Sequence, residues 1–170
     1  MLGIGGKELS EENAAQTAKA LNIIQPDFIR VHATGIKLES KLGEFVRDGS
    51  FTLQSEEEIV IEQKLFLQQL HEMDIYYVNE HIVNLLLEVR GNLRTEKQEM
   101  LSTIDRFLTL PPDERLLFTV GRRLNIFFRL DDLKKPKLHQ KAGESLQQIL
   151  SKNPHVDFAA LCNYVRQSQI

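Results

Sequence analysis

Six residues at the start of the chain, Met1-Leu2-Gly3-Ile4-Gly5-Gly6, constrain the fold more than any other stretch. Two apolar residues interleaved with glycines run into Gly5-Gly6, and a helix with Ser10 as its expected N-cap opens at Ser10-Glu11-Glu12-Asn13. That is the strand-to-helix turn of an α/β protein. A strand normally carries about five residues. Only Met1 stands ahead of Leu2, so the chain is expected to be part of a larger α/β fold.

The next segments extend the pattern. Leu9 to Ile24 has helical spacing, with Ala14, Ala18 and Leu21 on one side, and Pro26 ends it. Asp27 to His32 then reads as a buried parallel strand. Ala33 to Ser50 is loop-like, with one helical turn expected at Leu42 to Val46. Ser55-Glu56-Glu57-Glu58 is a capping box with acidic residues in the first turn, and Asp74 to Val78 supplies another strand. Strands alternating with helices call for a parallel sheet with helices on its faces. Beyond residue 80 the strand signal ends. Thr95 to Leu110 is an amphipathic helix, Pro111-Pro112 opens the next one, and the segment 131–143 looks like a linker before a helical hairpin over 144–170.

Composition narrows the function classes. A formal net charge of −3 argues against a nucleic-acid surface, which needs a concentrated basic face. No apolar run approaches the roughly 18 residues of a bilayer span, so no membrane partner is expected. Without a signal peptide, cytoplasmic residence is the expectation. The single cysteine, Cys162, excludes an internal disulfide and a cysteine-built metal site, and its apolar helical face marks it as a core residue.

Gly3 to Asn13, then Pro26-Asp27-Phe28-Ile29-Arg30, then Val78-Asn79-Glu80-His81-Ile82-Val83-Asn84-Leu85-Leu86, then Ile104-Asp105-Arg106-Phe107-Leu108 with Leu110-Pro111-Pro112, together resemble the C-terminal half of radical SAM enzymes. The branch is an uncharacterised one whose barrel is similar to oxygen-independent coproporphyrinogen oxidase. The resemblance covers residues 1–130. It implies a partial (β/α) barrel, TIM barrel-like, which in an intact member holds a 4Fe-4S iron-sulfur cluster that cleaves S-adenosylmethionine. It also implies that Gly3, Ile4, Gly5 and Gly6 are a remnant of the S-adenosylmethionine site, with His32, Asn79 and His81 lining a cleft at the strand ends, where such barrels bind ligands. The departure lies in the thiolates. The family's Cys-x3-Cys-x2-Cys loop has no counterpart in a chain whose one cysteine is Cys162.

Each candidate has a plainer reading beside it. Gly5-Gly6 also serves a tight turn, His32 a structural hydrogen bond, and Asn79-Glu80-His81 a turn with a cap at Asn79. Arg122-Arg123, with Arg129 beyond, is a candidate phosphate contact whose plainer reading is a solvated helix end. Neither a catalytic residue nor a metal site emerges from the residues themselves. The expectation is therefore an α/β chain, a partial (β/α) barrel fragment with about three parallel strands and a mainly helical C-terminal region. It is expected to be a truncated or split radical SAM protein, inactive and without a cofactor when alone, whose partner is its missing N-terminal half or a second copy as a homodimer. The alternative is a self-sufficient α/β interaction module functioning as an oligomer.

Overall fold

The computed structural model describes residues 1–169. The chain is mixed α/β with far more helix than strand. Its elements are α1 (Ser10–Ile24), β1 (Phe28–Arg30), α2 (Lys41–Asp48), α3 (Glu56–Gln69), β2 (Tyr76–Val78), β3 (Gly91–Asn92), α4 (Lys97–Leu108), α5 (Pro112–Arg123), a 3-10 helix (Leu130–Lys134), α6 (Pro136–Lys152) and α7 (Phe158–Gln167).

β1 and β2 are parallel, with Phe28 beside Tyr76 and Arg30 beside Val78. Leu2 adds a single parallel rung at Ala33, through Leu2 N–H to the His32 carbonyl and Thr34 N–H to the Leu2 carbonyl. The strand expected to lead into the Gly5-Gly6 turn goes no further, because Gly3 turns into the left-handed region at φ +80°. A second correction lies at the other edge. β3 is antiparallel to β2, so the three-stranded sheet β1-β2-β3 is mixed. Two residues, one a glycine, carry no β signature in the sequence.

The helices show which local signals held. α3 starts at the capping box: Ser55 Oγ accepts from Glu58 N–H at 3.2 Å and the Glu58 carboxylate accepts from Ser55 N–H at 2.7 Å. α5 starts on Pro112, whose missing N–H costs nothing in a first turn. Ser10, by contrast, is the first residue of α1 rather than its cap, and its hydroxyl accepts from the Gln54 side chain instead. The segment 131–143 is helical. Pro136 opens α6 from its first turn, and the Asp132 carboxylate accepts from Phe128 and Arg129 N–H to shape the 3-10 turn before it. A proline that breaks a helix interior is compatible with a helix start, so the same residue supports two readings.

α1 and α3 pack side by side over one face of the sheet, through the fully buried small residues Ala14 and Ala18. Ile29 and Tyr77 point into that layer, and the Phe66 ring lies 6.4 Å from Tyr77. A second apolar layer stacks Phe107, Phe118 and Phe127 between α4, α5 and α6. The opposite face of the sheet is open: Phe28 is 62% exposed and its neighbour Tyr76 48%. α7 lies over the strand ends and leaves this face uncovered, its Asn163 amide bonded to both backbone groups of Ile36 at 2.9 Å.

The aromatic layer demands a close helix approach. A Cβ on Gly121 would collide with the Phe127 ring, while the Gly121 carbonyl accepts from Ile126 and Phe127 N–H. Gly121→Ala is expected to destabilise the fold by about 1–3 kcal/mol through overpacking, read as a fall in the urea midpoint at unchanged slope.

Candidate functional site

The C-terminal ends of the strands gather most of the residues singled out from the sequence. The glycine turn follows Leu2, His32 follows β1, and Asn79 and His81 follow β2. His32 and His81 face one another as stacked imidazoles, ring centroids 4.1 Å apart and planes 28° from parallel. Val83 N–H donates to His81 Nδ1 at 3.4 Å. Burial depresses the His32 pKa first, and the neighbouring His81 and Arg30 depress it further. Asn79 is fully buried and points away from the pair, its side chain donating to the Leu86 carbonyl at 2.6 Å. It caps no helix.

The turn itself is held by a carboxylate that the sequence did not announce. Glu62, fully buried on α3, accepts from Gly3 N–H at 3.1 Å and from the Asn13 amide at 2.6 Å. Gly6 N–H reaches the Gly3 carbonyl at 3.4 Å, and Lys7 N–H the Thr52 carbonyl at 3.1 Å. Among the described residues, the amides of Ile4 and Gly5 are the two in the turn without a protein partner.

Behind these strand ends lies a second constellation. Glu56, fully buried at the start of α3, accepts two hydrogen bonds from Arg123, at 3.0 and 2.6 Å, and one from Arg166 of α7. Arg123 also donates to the Val83 carbonyl at 2.9 Å, Arg166 to the Thr34 carbonyl at 3.0 Å, and Arg122 to the Ile82 carbonyl at 3.1 Å. Three guanidiniums therefore brace the loops that follow β1 and β2. Burial pushes the Glu56 carboxyl up, but the two arginines outweigh it and hold it below the ordinary carboxylate range. Arg122 is wholly buried, with its pKa brought down to about 10 by burial and by Arg123, and its Nε and Nη1 lack a protein partner. The expected solvated helix end at Arg122-Arg123 is thus an interior structural cluster. Arg166 was detectable: it falls four residues after Cys162 on the apolar face of α7.

Asn84 completes the scaffold. Its side-chain oxygen accepts from Ala33 N–H at 2.7 Å and its amide donates to the Val31 carbonyl at 2.9 Å. Cys162 is buried and unpaired, and burial raises its thiol pKa to about 12, far from the thiolate that metal binding or nucleophilic attack requires. Among the described residues, no group of three or more His, Cys, Asp or Glu converges to hold a metal ion. On the open face of the sheet, a cavity of about 470 Å³ lies between Tyr76, Glu88 and Phe128, with the Arg90–Glu80 ion pair at its side. Comparison with protein-family models, with curated proteins and with solved structures gives no match to this chain.

Glu56→Ala leaves Arg123 and Arg166 buried without a counter-charge and is expected to cost about 3–5 kcal/mol, measured by urea unfolding; a loss under about 1 kcal/mol would mean that water already reaches the cluster. Because the folded pKa of Glu56 lies below the unfolded one, its contribution is present above the unfolded value of about 4.3 and is lost as pH falls through the folded value.

His32 has the same sign for a different reason. Its depressed folded pKa makes the neutral His32 imidazole a stabilising feature above the unfolded value of about 6.5, weakened as pH falls through the folded value. His81→Asn is expected to move the His32 Cε1 titration midpoint upward in an NMR pH series.

Proposed function

We propose that this chain is a wall segment of a (β/α) barrel of the radical SAM type, which carries part of an S-adenosylmethionine-binding edge and has no activity by itself. One observation carries the reading. Leu2, β1 and β2 are successive parallel neighbours, and the helices between them, α1 and α3, pack together on one face while the other face stays open. Sequential parallel order with all helices outside is how a barrel wall is built. The glycine turn supports the same reading, since the free amides of Ile4 and Gly5 lie at the strand end, where such barrels bind their ligands.

The chain's own residues do not fit an iron-sulfur cluster. Three thiolates are needed, and the one cysteine is a buried thiol in α7. In this reading the cluster belongs to another polypeptide segment. The exposed Phe28–Tyr76 pair favours a second reading, in which the chain is a self-sufficient α/β interaction module that works as an oligomer.

An amide NMR titration with S-adenosylmethionine tests the first reading. The expected result is fast-exchange shifts at Ile4, Gly5 and His32, with a dissociation constant on the order of 1 mM, and with no visible absorption after anaerobic incubation with iron and sulfide. Shifts confined to residues remote from the strand ends, or a stoichiometric cluster lost in Cys162→Ser, would sink it.

A further inference from the structure

α7 is held to the rest of the molecule by different means from the other helices. Its buried side chains are Cys162, Asn163 and Arg166, and two of those three are polar. Among the described residues, the connected apolar core draws none of its side chains from α7, and Phe158, Leu161 and Val165 are only half-buried. Beneath its first turns a cavity of about 160 Å³ lies between Phe107, Leu116, Phe158 and Cys162, so the apolar contact it does make is incomplete. Hydrogen bonds fix it instead: Asn163 to Ile36, and Arg166 to the Thr34 carbonyl and to Glu56. Such bonds are exchanged against bonds to water and contribute modestly, whereas buried apolar area is what keeps a helix down.

The body of the protein keeps its own contacts when α7 leaves. Glu56 retains both bonds to Arg123 of α5, and water reaches the side that Arg166 vacates. α6 stays in place, anchored in the apolar core through the fully buried Ala142. Between α6 and α7 the chain turns at Asn153-Pro154-His155, three exposed residues that serve as a hinge. A ten-residue helix does not hold its shape alone in water, so leaving the body and losing the helix are one event.

We propose that α7 is a detachable strap over the strand ends, which opens while the rest of the fold stays intact and so gates the site around His32. In the open form the main chain of Thr34 and Ile36, just beyond His32, and the Glu56–Arg123 pair face water. Segments that move in this way come from the low-stability end of a fold, where buried apolar contacts are few. The inference depends on neither functional reading and adds a regulatory element to both.

Two probes on the whole 170-residue chain read the opening independently. The buried Cys162 thiol undergoes exchange with an aromatic disulfide reagent once it is exposed, and its rate against that of the unfolded chain gives the opened fraction. The Ile36 amide, bonded to Asn163 Oδ1, exchanges with deuterium when α7 leaves, whereas the Val31 amide, bonded to Val78 in the sheet, waits for the fold to open. Cys162 and Ile36 are expected to show opened fractions at least about a hundredfold above that at Val31, and insensitive to low urea. Asp157→Ala removes the side chain that caps α7 through Ala159 and Ala160 N–H, and should raise both fractions about fivefold. Gly121→Ala should lower the urea midpoint and leave both unchanged. Circular dichroism confirms that each variant is folded. Opened fractions at Cys162 and Ile36 equal to that at Val31 overturn the strap. Labelling of Cys162 with Ile36 still protected overturns it too, since the reagent then enters through the cavity while α7 stays docked. Fast Ile36 exchange indifferent to Asp157→Ala places the motion in the loop and overturns it as well.

Discussion

A single carboxylate, Glu56, organises the half of the molecule where the candidate site lies. It is buried at the start of α3 and shared between Arg123 of α5 and Arg166 of α7. Charges removed from water are tolerated only when paired and hydrogen-bonded, so three helices must arrive together for any of these groups to be accommodated. Arg166 and Arg123 each also donate to a loop carbonyl, that of Thr34 and that of Val83. Loop positions beyond β1 and β2 are thereby set by an electrostatic requirement of the interior. The geometry of the strand ends is a consequence of it.

Local chemistry was legible where one residue type has one job. The Ser55-Glu58 box and Pro112 act within a few residues of themselves and need nothing from the rest of the chain. Elements defined by long-range partners were not legible. β3 exists because β2 offers it an edge, and Ser10 lies inside α1 as its first residue, its hydroxyl accepting from Gln54. Arg122 and Arg123 sit in a last helical turn where arginine usually meets solvent and the helix dipole; inside, Arg123 meets the counter-charge arriving from residue 56 and Arg122 the carbonyls of Ile82 and Asn84.

The site shows the same division. His32 and His81 were reachable from the sequence because strand ends converge in a parallel sheet, and they meet as a stacked pair. Asn79, two residues from His81, is engaged elsewhere, donating to the Leu86 carbonyl, because β2 ends at Val78 and strand alternation no longer relates the two positions. Glu62 escaped notice because it lies in a run of polar residues in α3, and its burial depends on a glycine amide 59 positions away.

Asn84 and Asn163 each do with a side chain what a strand does with its backbone. A primary amide carries two N–H donors and a carbonyl acceptor in one plane, and each asparagine presents a donor and the acceptor to a neighbouring main chain, as one residue of an adjacent strand would. The hydrogen-bond pattern of the sheet is thus continued past the ends of its strands by surrogate peptide groups. An aspartate there would lack the donor, and a glutamine would reach one methylene too far. Between residues 31 and 36, beyond the end of β1, the main chain is thereby satisfied by side chains delivered from a loop and from α7, with no further strand required there.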